Sequence, residues 1–145
     1  MPRSASGPIP ECKTILTCTR TVLDALTGDV NLLNVFSSFK IQGQPGRTTP
    51  FSLFVQLTGG KGDYEVAAEF HDLEDGQSLC RAVGMIQMID RLKLVNVHFD
   101  FGSIQVTHAG RYDLIVYVNG QAVDQLSFAV EDTTIGGSPT STGGR

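Results

Sequence analysis

The sequence predicts an all-β protein, an antiparallel two-sheet sandwich of about eight strands. Short runs of alternating apolar and polar residues recur along most of the 145-residue chain, and this alternation is typical of strands with one buried face. Clusters of glycine, asparagine and aspartate separate the runs and supply turns. Asn119 and Gly120 give the strongest hairpin signal, because a type I′ turn requires positive φ at both central residues.

Composition and charge argue against several classes of protein. The net charge is −4 and the basic residues are scattered, so we expect no nucleic-acid partner. No run approaches the roughly 20 apolar residues of a membrane span, and the N-terminus lacks the apolar core of a secretory signal, so we expect a cytoplasmic protein with no membrane partner. The cysteines number three, and none is spaced as C-x-x-C. We therefore expect free thiols and no zinc site.

The chain divides into one domain and two tails. Residues 1–11 contain three prolines and show no periodicity, which predicts a flexible N-terminal arm. Residues 132–145 are rich in glycine, serine and threonine and are predicted to be disordered. The sandwich is therefore expected over residues 12–131.

The first half of the domain is expected to hold four strands. Between them lie a turn at residues 24–29, a Gly- and Pro-rich loop at residues 42–50 and the glycines of residues 59–63. In the second strand, Leu33, Val35, Phe39 and Ile41 are expected to share one face. The four predicted strands are residues 13–23, 31–41, 51–58 and 64–72.

The second half contains one ambiguous segment and one clear hairpin. Residues 80–101 offer both helical spacing and β alternation. We favour strands at residues 80–89 and 92–101, because Gly84 weakens a helix by about 1 kcal/mol and the surroundings are all β. A helical turn over residues 85–92 is the alternative. Residues 110–118 and 121–130 form the closing hairpin.

Residues 108–112 (HAGRY) are similar to the corner of immunoglobulin-type domains, in which a tyrosine hydroxyl bonds back to the preceding loop. His108 replaces the usual aspartate, and Leu114 stands where secreted domains have a cysteine. More broadly, the chain resembles a bacterial domain-of-unknown-function family of small immunoglobulin-like β-sandwiches. The segments that carry the resemblance are VNLLNVFSSF (residues 30–39), LTGGKGDYEVAAEFHDLEDGQ (57–77) and FDFGSIQVTHAGRYDLIVYVNGQ (99–121). It implies an immunoglobulin-like fold and no catalytic residue.

Two histidine–carboxylate pairs are the only candidates for chemistry. Glu69 with His71 and His98 with Asp100 are each spaced i, i+2, so each pair lies on one face of a strand. Together they could begin a metal or acid–base site. Alternation produces such pairs by chance on wet faces, however, and we predict no catalytic residue, no metal and no cofactor.

The most informative anomaly is a set of apolar residues on faces that should be wet. With their neighbours directed inward, five side chains point outward and form the predicted interface: Phe54, Met85, Ile89, Ile115 and Tyr117. In an immunoglobulin-like strand order, Phe54, Ile115 and Tyr117 would lie on one sheet and share a patch. Such a patch is either covered by the N-terminal arm or loops, or it is an interface.

The sequence therefore favours a non-catalytic structural or interaction module. We expect it to bind a protein partner, or to form a homo-oligomer, through an apolar sheet face or an edge strand. The alternative is a sandwich that binds a small ligand or carbohydrate with residues 42–50 and 59–63, although the chain has no tryptophan. A metal-dependent enzyme is the third hypothesis.

Overall fold

The protein is a sandwich of two β-sheets. The computed structural model describes residues 7–134. These residues contain no helix, and therefore none that could span a membrane. The strands of this part of the chain are β1 (Glu11–Leu23), β2 (Val30–Phe36), β3 (Ser38–Ile41), β4 (Gly46–Arg47), β5 (Phe51–Thr58), β6 (Gly62–Asp72), β7 (Ser78–Met88), β8 (Val95–Phe101), β9 (Gln105–Val106), β10 (Gly110–Val118) and β11 (Gln121–Asp132).

One sheet has four strands in the order β2-β1-β5-β8, and the other has five in the order β3-β11-β10-β6-β7. Neighbouring strands are antiparallel except β3 and β11, which run parallel. β4 and β9 form a separate two-stranded ladder. The predicted immunoglobulin-like sandwich is thereby confirmed.

The inward faces of the two sheets make one core, as alternation predicts. β5 and β10 contribute from opposite sheets, and aromatic rings fill the middle: Phe39 and Phe51 lie 4.8 Å apart, and Phe51 and Phe101 stack at 5.0 Å. The largest fully buried side chains are Tyr64, Tyr112, Phe51, Phe70, Ile41, Leu53, Leu57, Met88, Leu114, Val55, Val66 and Val106.

The ambiguous segment is two strands, β7 and β8, and the helical alternative for residues 85–92 is wrong. β7 places Ile86 and Met88 toward the core and Val83 and Met85 toward solvent. The final hairpin is also confirmed: Asn119 and Gly120 have φ of 50° and 82°, as a type I′ turn requires.

The prediction of one strand over residues 31–41 is wrong. The segment forms β2 in the four-stranded sheet and β3 in the five-stranded sheet. The two strands are separated at Ser37, and the inward-facing positions change from even to odd there. Leu33 and Val35 are therefore exposed on β2, whereas Phe36 packs inward with its ring 4.9 Å from that of Phe39 on β3.

The predicted tyrosine corner is present. The hydroxyl of buried Tyr112 donates a hydrogen bond to the carbonyl oxygen of His108 at 2.7 Å. The His108 ring stacks on the Tyr112 ring at 5.6 Å and its Nε2 lies 2.7 Å from Oδ2 of Asp72. The corner therefore ties the chain before β10 to the end of β6.

The start of the described chain packs beside the β5–β6 turn. Gly7 donates its N–H to the carbonyl oxygen of Lys61, and Tyr64 donates its hydroxyl to the carbonyl of Pro8 at 2.7 Å. Pro10 is buried. Residues 7–11 of the arm predicted over residues 1–11 are therefore bonded to the domain rather than free, and residues 1–6 lie outside the described residues. Of the tail predicted over residues 132–145, Asp132 ends β11 and residues 135–145 lie outside the described residues.

Candidate interaction surface

The outward side of the five-stranded sheet carries an apolar cluster near the β7 edge. Tyr117 of β10 is opposite Ala67 of β6, and Ala67 is opposite Val83 of β7. Val83 and Met85 remain 53% and 59% exposed. Ile115 is half-buried and lies two residues from Tyr117 on the same face. We call Val83, Met85, Ile115 and Tyr117 the outer patch.

Ala67 forms the floor of the outer patch. It lies on the outward side of β6, since Val66 and Ala68 point into the core, yet it is fully buried. Its small side chain lies between the larger side chains of Tyr117 and Val83 on the adjacent strands. The patch is therefore continuous across three strands.

A charged network borders the patch. His71 Nε2 lies 2.6 Å from Oε1 of Glu69, and the guanidinium of Arg81 binds the other carboxylate oxygen. The hydrogen bond from His71, followed by that from Arg81, lowers the pKa of Glu69. Arg81 also lies over the Tyr117 ring, with Cζ 5.6 Å from the centroid, a cation–π geometry that fixes the ring.

Tyr117 joins the apolar and charged parts of this surface. Its hydroxyl is 3.4 Å from Oε1 of Glu69. Burial, reinforced by the negative charge of Glu69, raises the pKa of the Tyr117 phenol. An aromatic side chain with a polar tip, held beside paired charges, is typical of protein–protein contact surfaces.

Three of the five predicted interface residues, Met85, Ile115 and Tyr117, lie together on this face. Ile89 is 75% exposed but lies just beyond the end of β7, beside Lys61 and Arg91 on the wall of a surface depression. It belongs to the margin of the surface rather than to the patch.

The prediction for Phe54 is wrong. β5 lies in the four-stranded sheet and β10 in the five-stranded sheet, so Phe54 cannot share a face with Ile115 and Tyr117. Phe54 does point to the outer side of its sheet, but it is only 6% exposed, because Leu16 and His98 flank it on the adjacent strands. It is a packing residue.

The sequence reasoning missed a second exposed apolar feature, the hairpin of β1 and β2. β1 pairs with β5 only as far as Cys18 but with β2 as far as Leu23, so the end of the hairpin extends beyond the sheet. Leu26 at the tip is 96% exposed, and Leu23 and Leu33 are also exposed. The apolar residues on both strands near the predicted turn are the sequence feature from which this exposed hairpin could have been predicted.

The candidate chemical site does not assemble. Glu69 and His71 lie on β6 of one sheet, and His98 and Asp100 on β8 of the other. Within residues 7–134, no group of three or more histidine, cysteine or acidic side chains is arranged to hold a metal ion. The four residues therefore do not form the metal or acid–base site that the third hypothesis requires.

The two loops of the ligand-binding alternative also lie apart. Residues 42–50 precede β5 and residues 59–63 follow it. An eight-residue strand spans roughly 26 Å at about 3.3 Å per residue. The loops are therefore at opposite ends of the sandwich and do not line one pocket.

Fold and surface together define an immunoglobulin-like β-sandwich with an apolar outer sheet face. The sequence model of the family of unknown function DUF6941 matches residues 13–131. The chain belongs to this family. No curated protein matches the chain in sequence.

Two solved structures are similar to it. An immunoglobulin-like protein from Pseudomonas aeruginosa is 12% identical with a TM-score of 0.40, and the match covers 86% of this chain and 98% of that protein. The alkylpurine DNA glycosylase AlkC from Pseudomonas fluorescens, bound to DNA containing an abasic site analogue, is 10% identical with a TM-score of 0.42. That match covers 81% of this chain and 30% of the glycosylase chain.

Proposed function

We propose that this domain is a non-catalytic interaction module that binds a protein through the outer patch and the adjoining edge of β7. The observation that carries the proposal is the exposure of Val83 and Met85 on a regular strand. Fully burying a valine or methionine side chain contributes about 1.5–3 kcal/mol. A partner that covered both half-exposed side chains would therefore gain a substantial fraction of this burial free energy.

The surroundings of the patch support specific binding. The buried Ala67 and the ring of Tyr117, held by Arg81, make a fixed floor, so little side-chain entropy is lost on contact. The Glu69–Arg81 pair provides a polar rim of the kind that orients partners. Met85 is flexible and adapts to an opposing surface.

Site-specific photo-cross-linking in cells that express the protein tests this function. A photoreactive residue at position 85 is expected to cross-link one defined protein, identified by mass spectrometry. The same residue at position 96 is the matched control, because Asn96 is exposed on the outward face of the opposite sheet. Introducing Val83→Lys should abolish the product at position 85. Equal product patterns at both positions, or none at position 85, would contradict the proposal.

A further inference from the structure

The four sheet edges differ in how well they are protected against pairing with another strand. An edge strand presents unpaired N–H and C=O groups, and proteins usually protect such edges with short strands, charges or irregular backbone. The edge strands of this sandwich are β2 and β8 in one sheet and β3 and β7 in the other.

Three of these edges carry protection. β3 has four residues, and its Lys40 is paired with Glu131 at 3.1 Å. β2 contains Asn34 in a left-handed conformation. β8 directs Asn96, His98 and Asp100 outward, in register with the outward residues of β5. A strand added at β8 would therefore meet polar and charged side chains.

The edge of β7 lacks these protective features. It has eleven residues, contains no proline or lysine, and pairs with β6 without a register shift from Gly62–Met88 to Phe70–Cys80. Its one charged side chain, Arg81, is already bound to Glu69. Among residues 7–134, β7 is the edge that is long, regular and apolar together.

The sequence of β7 is self-complementary about Gly84. In an antiparallel pair of two β7 strands centred there, Val83 of each copy lies opposite Met85 of the other, and Arg81 lies opposite Gln87. A pair centred on position 83 or 85 would also keep outward side chains on the same side of the joined sheet. The first would place Arg81 opposite Met85, and the second would place Arg81 opposite Ile89. Only the Gly84 register matches apolar with apolar and charged with polar.

We propose that the protein forms a symmetric dimer in which β7 of two copies pair antiparallel about Gly84, joining two five-stranded sheets into one. This deepens the proposed function and rests on it, since it names a second copy as the partner of the outer patch. The two patches become continuous across the twofold axis, an isologous contact. Ala82 and Ile86, half-buried on the inner face, are covered by the same pairing.

Molecular mass in solution, measured by analytical ultracentrifugation over a range of concentrations, tests the dimer. The full chain is expected to sediment as a dimer that dissociates on dilution. Val83→Lys should raise the dissociation constant by about tenfold or more, because two lysines then lie close to the axis. Asn96→Lys changes the net charge equally on the polar edge and should leave the dissociation constant unchanged. Circular dichroism confirms that both variants are folded.

Disulfide trapping tests the register. When Val83→Cys and Met85→Cys proteins are mixed under mild oxidation, a disulfide between positions 83 and 85 of different copies should form faster than in either protein alone, since directly opposite residues are closer than diagonal ones. Peptide mapping separates this product from disulfides of the native cysteines. Faster trapping in either single variant would overturn the Gly84 register.

The outcomes separate failure of the dimer from failure of the proposed function. A folded wild-type chain that stays monomeric at every concentration overturns self-pairing, and a different protein cross-linked at position 85 then preserves the interaction module. A dimer that survives Val83→Lys but is lost with Leu26→Lys assigns the contact to the β1–β2 hairpin. That result overturns self-pairing at β7 and removes the support for the outer patch.

Discussion

The Nε2 atom of His108 lies 2.7 Å from Oδ2 of Asp72, a carboxylate with only 2% of its side chain exposed. The other ring nitrogen, Nδ1, is 2.7 Å from the carbonyl oxygen of Ala109. Both nitrogens face acceptors, so both bonds are satisfied only when the ring is protonated. The backbone bond to Ala109, followed by the bond to Asp72, raises the pKa of His108 above its ordinary 6.5.

The stability of the fold is expected to fall as the pH rises through the raised pKa of His108. A histidine whose folded pKa lies above its unfolded value contributes fully below the unfolded value, and loses that contribution as the folded protein deprotonates. Urea unfolding below pH 6.5 and at a series of pH values extending above the raised pKa measures this difference. His108→Ala should flatten the profile and cost about 1–3 kcal/mol at pH values below 6.5.

His98→Ala is the matched control for His108. His98 also has a carboxylate neighbour, but its Nε2 is 3.7 Å from Oδ2 of Asp100, and that carboxylate is largely exposed. Exposed pairs of this kind contribute little. An unchanged pH profile in His108→Ala, or the same loss in His98→Ala, would show that the His108–Asp72 pair does not hold the corner.

The hydroxyl of Tyr112 is expected to stabilise the same corner. Tyr112→Phe keeps the ring but removes the hydrogen bond to the His108 carbonyl, which should cost about 1–2 kcal/mol of unfolding free energy. Burial raises the pKa of Tyr112 to about 12, so this phenol should titrate above the ordinary tyrosine value in an ultraviolet pH titration. Tyr117→Phe, which loses only a 3.4 Å contact, should cost less than about 0.5 kcal/mol. Equal losses would refute the corner assignment.

Local patterns predicted the strands well because alternation and turn chemistry act over a few residues. The bounds predicted for the strand at residues 51–58 and for the start of the final hairpin agree with β5 and β10. Ser37 shows the limit, because the chain leaves the four-stranded sheet there and enters the five-stranded sheet. The alternation of Leu33, Val35, Phe39 and Ile41 runs through Ser37 without a break, so the sequence pattern does not indicate that the strand divides at this residue.

Side-chain alternation gives the face of a strand but not its sheet or its neighbours. An assumed strand order predicts Phe54 beside Ile115, but periodicity does not give strand order, and the two residues lie on different sheets. The ion pair of His108 with Asp72 joins positions 36 residues apart, so no local sequence motif predicts it. Met85 and Tyr117 could be predicted because alternation within their own strands is enough to direct both side chains away from the core.

Truncation to alanine should lower the unfolding free energy strongly at Phe54 and hardly at Met85. Phe54→Ala is expected to cost about 3 kcal/mol, because it removes a packed side chain that is 6% exposed. Met85→Ala should change the unfolding free energy by no more than about 0.5 kcal/mol when the protein is monomeric. Chemical denaturation of dilute protein gives both values. A large loss for Met85→Ala would place Met85 in the core and remove the outer patch.

Gly120 and Gly84 form a second informative pair. Gly120 has a φ of 82° in the β10–β11 turn, so Gly120→Ala forces a left-handed alanine and should cost about 1–2 kcal/mol. Gly84 has no positive φ, and a Cβ added there meets no atom within 4 Å. Gly84→Ala should therefore leave the monomer as stable or raise the unfolding free energy by up to about 1 kcal/mol. Thermal unfolding of both variants at low protein concentration measures the contrast, and a destabilised Gly84→Ala monomer would show that the backbone of β7 is not the regular strand on which edge pairing depends.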